Sequence, residues 1–108
     1  MQTRSARILL IAAAALLAAG AARAQDIAAG KRVAQASCSS CHLVDPQEQT
    51  TGSDAVPTFA AIARMPSTTA MSLAAFLSMP HAHMPDFVLD RTEIHDVSAY
   101  ILSLHNSP

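Results

Sequence analysis

Apolar residues recur three and four positions apart in several stretches of the chain, and no stretch alternates apolar and polar residues as a half-buried strand would. The clearest example is the C-terminal stretch. Its predicted buried face consists of Ile94, Val97, Ile101 and Leu104. Asp90, with Glu93 three residues later, predicts a capping box at the start of this helix. The pattern therefore predicts a small all-α fold.

Asp26 can cap a first helix that runs to the cysteines at positions 38 and 41. Gly30 lies inside this helix, where glycine costs roughly 1 kcal/mol of helix propensity relative to alanine, so either the cost is incidental or another element packs close to that turn. Residues Leu43 to Val56 have a loop composition, and Pro57 to Ala63 are predicted to form a short helix.

A third helix is predicted after Met65-Pro66, capped by a hydroxyl residue at position 67, 68 or 69 and stopped by Pro80. Its apolar face consists of Leu73, Phe76 and Leu77. Met71 also lies in this helix, and we expect it to fill a gap in the core, as methionine often does. The segment from His81 to Leu89 is predicted to be irregular.

The first 24 residues have the pattern of a secretory signal peptide. Arg4 and Arg7 form a basic start, an apolar run of 12 residues follows, and Ala22 and Ala24 give the small-x-small cleavage pattern. An uncleaved membrane anchor is the alternative, but the run is shorter than the roughly 20 residues that span a bilayer. We therefore predict cleavage after Ala24, a periplasmic location and a mature domain over residues 25–108.

Removing 24 residues from 108 leaves 84, a size at which small exported domains usually need disulfides, a metal or a cofactor. The two cysteines are too close together to join distant segments, so a disulfide framework is excluded. The mature domain has four basic and eight acidic residues, a formal charge of −4. That charge argues against nucleic acid or an anionic membrane surface as a partner.

Cys38, Cys41 and His42 form a Cys-x-x-Cys-His segment, the attachment signature of c-type haem. Residues three apart share one face of a helical turn, so both thiols can reach the two vinyl groups at one edge of a porphyrin. The next residue, His42, can then bind the iron. The motif predicts one haem c, attached covalently by two thioethers.

A redox-active dithiol and a zinc half-site are the competing interpretations of this motif. A thioredoxin-like dithiol requires a βαβ unit around it, and no strand is predicted here. Zinc would need four ligands, for which two later histidines would have to join Cys38 and Cys41. The exported context and the histidine directly after Cys41 favour haem.

On these residues the chain resembles the class I monohaem cytochromes c of the small bacterial type, over nearly all of residues 26 to 105. Gly30 precedes Cys38 by eight residues, as the helix-crossing glycine of that family does, and Tyr100 matches the aromatic residue that packs over it. The resemblance implies crossing N- and C-terminal helices, with short helices and loops wrapped around one haem.

The segment from Val56 to Ala63 is similar to the proline loop of the same family. The resemblance implies that the carbonyl of Pro57 accepts a hydrogen bond from the other ring N–H of His42, on the nitrogen that does not bind iron; this bond fixes the imidazole tautomer and makes the ligand more basic. Plain turn formation is the alternative role for this proline.

The sixth iron ligand has several candidates among the methionines and histidines after the motif. Exposure is the ordinary explanation for His95 and His105, and Met65 is too near His42 to cross to the other haem face. Met84-Pro85 stands just before the capped final helix, where the family carries its ligand methionine. The resemblance therefore implies Met84, with Met79 and His83 as alternatives.

A chain with both axial positions filled is expected to carry single electrons and not to be an enzyme. Its partners would be redox donor and acceptor proteins that dock transiently at the haem edge, and the protein is expected to be monomeric. The alternatives are an electron-transfer subunit of an exported dehydrogenase or oxidase, and a haem sensor or enzyme with a labile sixth ligand. A dithiol oxidoreductase is the third class.

The chain contains no tryptophan, so Arg64 is the candidate partner for a haem propionate, with a solvated arginine as the ordinary alternative. A set of apolar side chains is expected to surround the porphyrin. They are Leu43, Val44, Phe59, Ile62, Leu73, Phe76, Leu77 and Phe87.

Overall fold

A computed structural model describes residues 25–48, 55–80, 84 and 88–107. Within these residues the chain forms four α-helices. They are α1 (Ile27–Ser37), α2 (Phe59–Ala63), α3 (Ala70–Leu77) and α4 (Arg91–Ser103), and α4 continues into a short 3-10 helix (Leu104–Asn106). In this described part, extended pairing is limited to an isolated β-bridge at Met84. The prediction of an all-α fold is confirmed.

The helix starts follow the capping residues that the sequence indicates. The Asp26 side chain accepts a hydrogen bond from the amide of Ala29. Asp90 and Glu93 form the predicted capping box, in which each side chain accepts from the backbone of the other. These contacts satisfy amides that a helix leaves unpaired in its first turn, so they define where α1 and α4 begin.

α2 begins two residues after its predicted start at Pro57, whereas α3 begins directly after Thr69, one of its predicted caps. Thr58 caps α2 in extended backbone by accepting from the amide of Ala61, so the helix starts at Phe59 and Pro57 lies outside it. Thr69 caps α3 in a capping box with Ser72. α3 ends at Leu77, three residues before Pro80.

Helices α1 and α4 cross in close contact at Gly30. A Cβ atom placed on Gly30 would lie 2.0 Å from the carbonyl oxygen of Asp96 and 2.9 Å from Cβ of Tyr100. The backbone amide of Asp26 also donates to the Asp96 carboxylate, at 2.9 Å. Glycine is required here because any side chain would overlap the backbone of α4. The predicted crossing of the terminal helices is confirmed.

One hydrophobic core joins all four helices to the loop after α1. The buried members are Ala34, Val44, Phe59, Ala60, Ala63, Leu73, Val97, Tyr100, Ile101 and Leu104. The predicted face of α4 is buried along its whole length, with Ile94 at its start. The core therefore lies where the loop after α1 meets α4.

The position of Met71 contradicts the sequence prediction, because 82% of its surface is exposed. Leu73 and Leu77 set the inward face of α3, and a residue two positions before Leu73 points to the opposite side of a helix. Phe76 is half-exposed at 49%, whereas Leu73 is buried. Phe87 lies outside the described residues.

Candidate functional site

The end of α1 brings the two cysteines and the histidine into one tight turn. Cys38 is the last residue in helical geometry, and its amide donates to the carbonyl of Ala34 at 2.9 Å. The Cys38 carbonyl then accepts from the amides of Cys41, at 3.2 Å, and His42, at 2.9 Å. This single accepting carbonyl closes the turn that carries all three residues.

Both thiols are free, and their surroundings differ. Cys38 is half-buried, and this burial raises the pKa of its thiol, whereas Cys41 is exposed. A catalytic dithiol needs a thiol with a lowered pKa. Cys38 therefore lacks the feature that activates a thioredoxin-like cysteine, and both free thiols are available for covalent attachment to another group.

The imidazole of His42 is oriented by the loop before α2. Its Nδ1 lies 2.7 Å from the carbonyl oxygen of Pro57. A carbonyl can only accept, so Nδ1 carries the proton, and Nε2 of the neutral ring keeps a free lone pair. The bond therefore prepares Nε2 to bind a metal ion and leaves Nδ1 unable to do so.

Phe59 fixes the backbone beside this histidine. The Phe59 amide donates to the carbonyl of Leu43 at 3.0 Å, which joins the first turn of α2 to the residue after His42. The Phe59 ring lies between two others, with centroids 5.5 Å from the imidazole of His42 and 6.4 Å from the ring of Tyr100. Both contacts are tilted, a common geometry for packed aromatic rings.

Two further contacts hold Val44 and Asp45, and neither was predicted from the sequence. The hydroxyl of Tyr100 donates to the carbonyl of Val44 at 2.9 Å, inside the core. Lys31 of α1 forms an ion pair with the buried Asp45. The hydrogen bond from Lys31 is the main cause that lowers the pKa of Asp45, with a smaller contribution from the Gln47 amide. No periodic pattern links these partners along the chain, so no sequence signal indicated them.

The candidates for a sixth ligand differ in their exposure, and not all of them lie within the described residues. Met84 is half-buried in its β-bridge. Met79 exposes 61% of its surface and Met65 exposes 44%. His83 lies outside the described residues, as do the other neighbours of Met84 at 81–82 and 85–87. Of the described methionines after the motif, Met84 is the one that is not exposed.

The remaining polar candidates lie at the surface. Arg64 is exposed and donates to the backbone carbonyl of Ser107 at 3.2 Å, so its guanidinium is bound to the C-terminal end of the described chain. His95 and His105 are exposed, as expected from the sequence. None of these three residues contributes to the turn at the end of α1.

The donor set fits covalent haem better than zinc. Among the described residues, no group of three or more His, Cys, Asp or Glu side chains is arranged to hold a metal ion. A structural zinc site needs such a closed set of ligands. Haem instead needs two free thiols on one turn and one imidazole with Nε2 available, and this turn supplies both.

Comparison with known proteins agrees with this chemistry. Residues 27–105 match the sequence model of the Cytochrome c family. The chain is 45% identical over 83 residues to the protein named Cytochrome c-552 from Bradyrhizobium diazoefficiens, covering 77% of this chain and 79% of the relative. No solved structure gave a significant match.

Proposed function

The chain belongs to the cytochrome c family, whose haem c is bound covalently, and from this premise we propose that it is an exported one-electron carrier with His42 and Met84 as axial iron ligands. Cys38 and Cys41 would hold the porphyrin through thioethers. The observation that carries the proposal is the His42–Pro57 bond, because it leaves Nε2 as the nitrogen free for iron.

Bound haem supplies an iron that alternates between ferric and ferrous states, one electron at a time. The protein must keep the ligands of both states in place. His42 is suited to this because its ring is held by Pro57 and its backbone by the Phe59–Leu43 bond. A ligand that moves little on electron transfer favours a fast carrier.

Met84 completes the proposal because a thioether is a soft, neutral ligand that favours ferrous iron and excludes a substrate. Its half-buried position supports this role over the exposed Met79. With His42 and Met84 both bound to it, the haem iron would have no site for a reacting molecule. On this basis the protein is not an enzyme.

We further propose that residues 1–24 direct export to the periplasm and are removed after Ala24. The pattern of basic, apolar and small residues supports this, and bacterial members of the family are typically exported. None of the described helices is long and apolar enough to cross a membrane.

The partners of such a carrier are redox proteins that bind transiently. The formal charge of −4 on residues 25–108 argues against a basic docking ring, so donor and acceptor need not be strongly acidic. We propose a monomer. Elution of the purified protein as a free monomer would support diffusion between partners, whereas purification bound to an exported dehydrogenase would identify an enzyme subunit.

The ferrous protein at neutral pH is expected to bind carbon monoxide slowly and incompletely, because Met84 must first leave the iron. The measurement is the absorption change after mixing with carbon monoxide. Met84→Ala supplies the open-site reference and should bind rapidly and completely. Rapid, complete binding by the unsubstituted protein would instead indicate a haem sensor or enzyme and would overturn the carrier proposal.

A further inference from the structure

Four consecutive residues after the second cysteine are each held by a different part of the fold. His42 is held by Pro57, Leu43 by Phe59, Val44 by Tyr100 and Asp45 by Lys31. The segment 42–45 is therefore fixed from the loop before α2, from α2 itself, from α4 and from α1. Because each of its four residues is held by a separate contact, we infer that the position of this irregular segment is important to the protein.

The contact from Tyr100 is the most protected of the four. Tyr100 is 4% exposed and Val44 is fully buried, so little water can compete for either group. Burial is the main cause that raises the pKa of Tyr100, which keeps the proton on its hydroxyl. If a buried carbonyl loses its donor, it either stays buried without a hydrogen bond, which costs free energy, or moves toward another partner.

We propose that the hydroxyl of Tyr100 is a positioning group for His42: by holding the carbonyl of Val44, it keeps the imidazole on Pro57 and so contributes to the reduction potential of the haem. This inference rests on the proposed role of His42 as an iron ligand. It assigns a function to the hydroxyl of Tyr100, whereas the Cβ of this residue lies at the helix crossing beside Gly30 and the ring packs against Phe59.

The direction of the effect follows from the bond between His42 and Pro57. An imidazole that donates strongly from Nδ1 is a more basic ligand, and a more basic ligand favours the ferric state. Release of Val44 loosens the backbone two residues from His42 and weakens that bond. The ferric state then loses stability, and the reduction potential rises.

Tyr100→Phe tests this in the haem-loaded protein, since phenylalanine keeps the ring that packs against Phe59 and removes only the hydroxyl. Two readouts are required. The reduction potential should shift upward, and hydrogen exchange of the His42 Nδ1 proton, followed by NMR, should accelerate about threefold or more.

Ser98→Ala is the matched control. Ser98 is also a buried hydroxyl residue of α4, but its side chain donates to the carbonyl of Ile94 in its own helix and not to segment 42–45. Both variants lose one buried hydroxyl. The control should leave the reduction potential and the exchange rate of the His42 proton unchanged.

Lys31→Met supplies a second test because it releases Asp45, the last residue of the segment, and the Lys31 side chain is partly exposed. It should accelerate exchange of the His42 proton in the same way. If Tyr100→Phe changes neither the reduction potential nor the exchange rate of the His42 proton, the Tyr100 hydroxyl has only a structural role and the inference is overturned. Absence of His42 ligation in the unsubstituted protein, seen in the same NMR spectra, would instead overturn the proposed function.

Discussion

Replacement of both Cys38 and Cys41 by alanine is expected to give a protein without covalent haem that is largely unfolded. A domain of about this size buries only about 60% of the surface of its unfolded chain, so a permanent cofactor supplies core that the side chains lack. Phe76 is half-exposed although it lies on the helix face that carries Leu73 and Leu77. This exposure is consistent with a core that the side chains alone do not complete.

Two measurements check this expectation. Haem absorbance that resists extraction by acidified solvent reports covalent attachment, and far-ultraviolet circular dichroism reports helix content. The double variant should lose all of the extraction-resistant haem absorbance and most of the helix content. Ser39→Ala with Ser40→Ala is the matched control in the same turn, because it leaves both thiols and His42 in place and should retain haem. A cooperative, fully helical double-cysteine variant would contradict the account.

Gly30→Ala is expected to destabilise the haem-loaded protein by about 2 kcal/mol. The added Cβ would lie 2.0 Å from a backbone carbonyl of α4, which cannot turn away as a side chain can. Overpacking of this kind costs up to about 3 kcal/mol, and the gain in helix propensity from glycine to alanine offsets about 1 kcal/mol. The free-energy cost of the steric overlap therefore exceeds the gain in helix propensity.

Denaturant unfolding followed by circular dichroism measures this difference in the free energy of unfolding. Ala36→Gly provides the reciprocal control, because Ala36 is an exposed residue of the same helix and its loss should cost only about 1 kcal/mol in propensity. Should Gly30→Ala prove as stable as the unsubstituted protein, α1 and α4 cannot cross as closely as the structure shows.

Local sequence signals predicted much of the fold because they act over three or four residues. Asp26 and Asp90 mark helix starts through side-chain bonds to nearby amides, and both helices begin there. Gly30 required a tertiary explanation, and the family resemblance supplied it. The Met71 prediction was wrong because residue type was used where helical phase relative to Leu73 would have indicated exposure.

The site was only partly predictable from sequence. The motif at Cys38 to His42 carries its own spacing, and the resemblance implied the contact between His42 and Pro57, which the structure contains. The bond from Tyr100 to Val44 joins residues 56 positions apart, and it depends on how α4 crosses α1. Such a bond depends on the tertiary arrangement, and the sequence around either residue contains no pattern that predicts it.

The axial pair of His42 and Met84 is the central claim, since it turns a haem-binding chain into a closed electron carrier. Absorption spectra of the oxidised and reduced protein, recorded for the unsubstituted chain and for Met84→Ala, test it most directly. We predict a sulfur-to-iron(III) charge-transfer band in the oxidised protein that is lost in Met84→Ala. Survival of that band after the substitution would show that another sulfur, such as that of Met79, binds the iron, and would contradict the assignment.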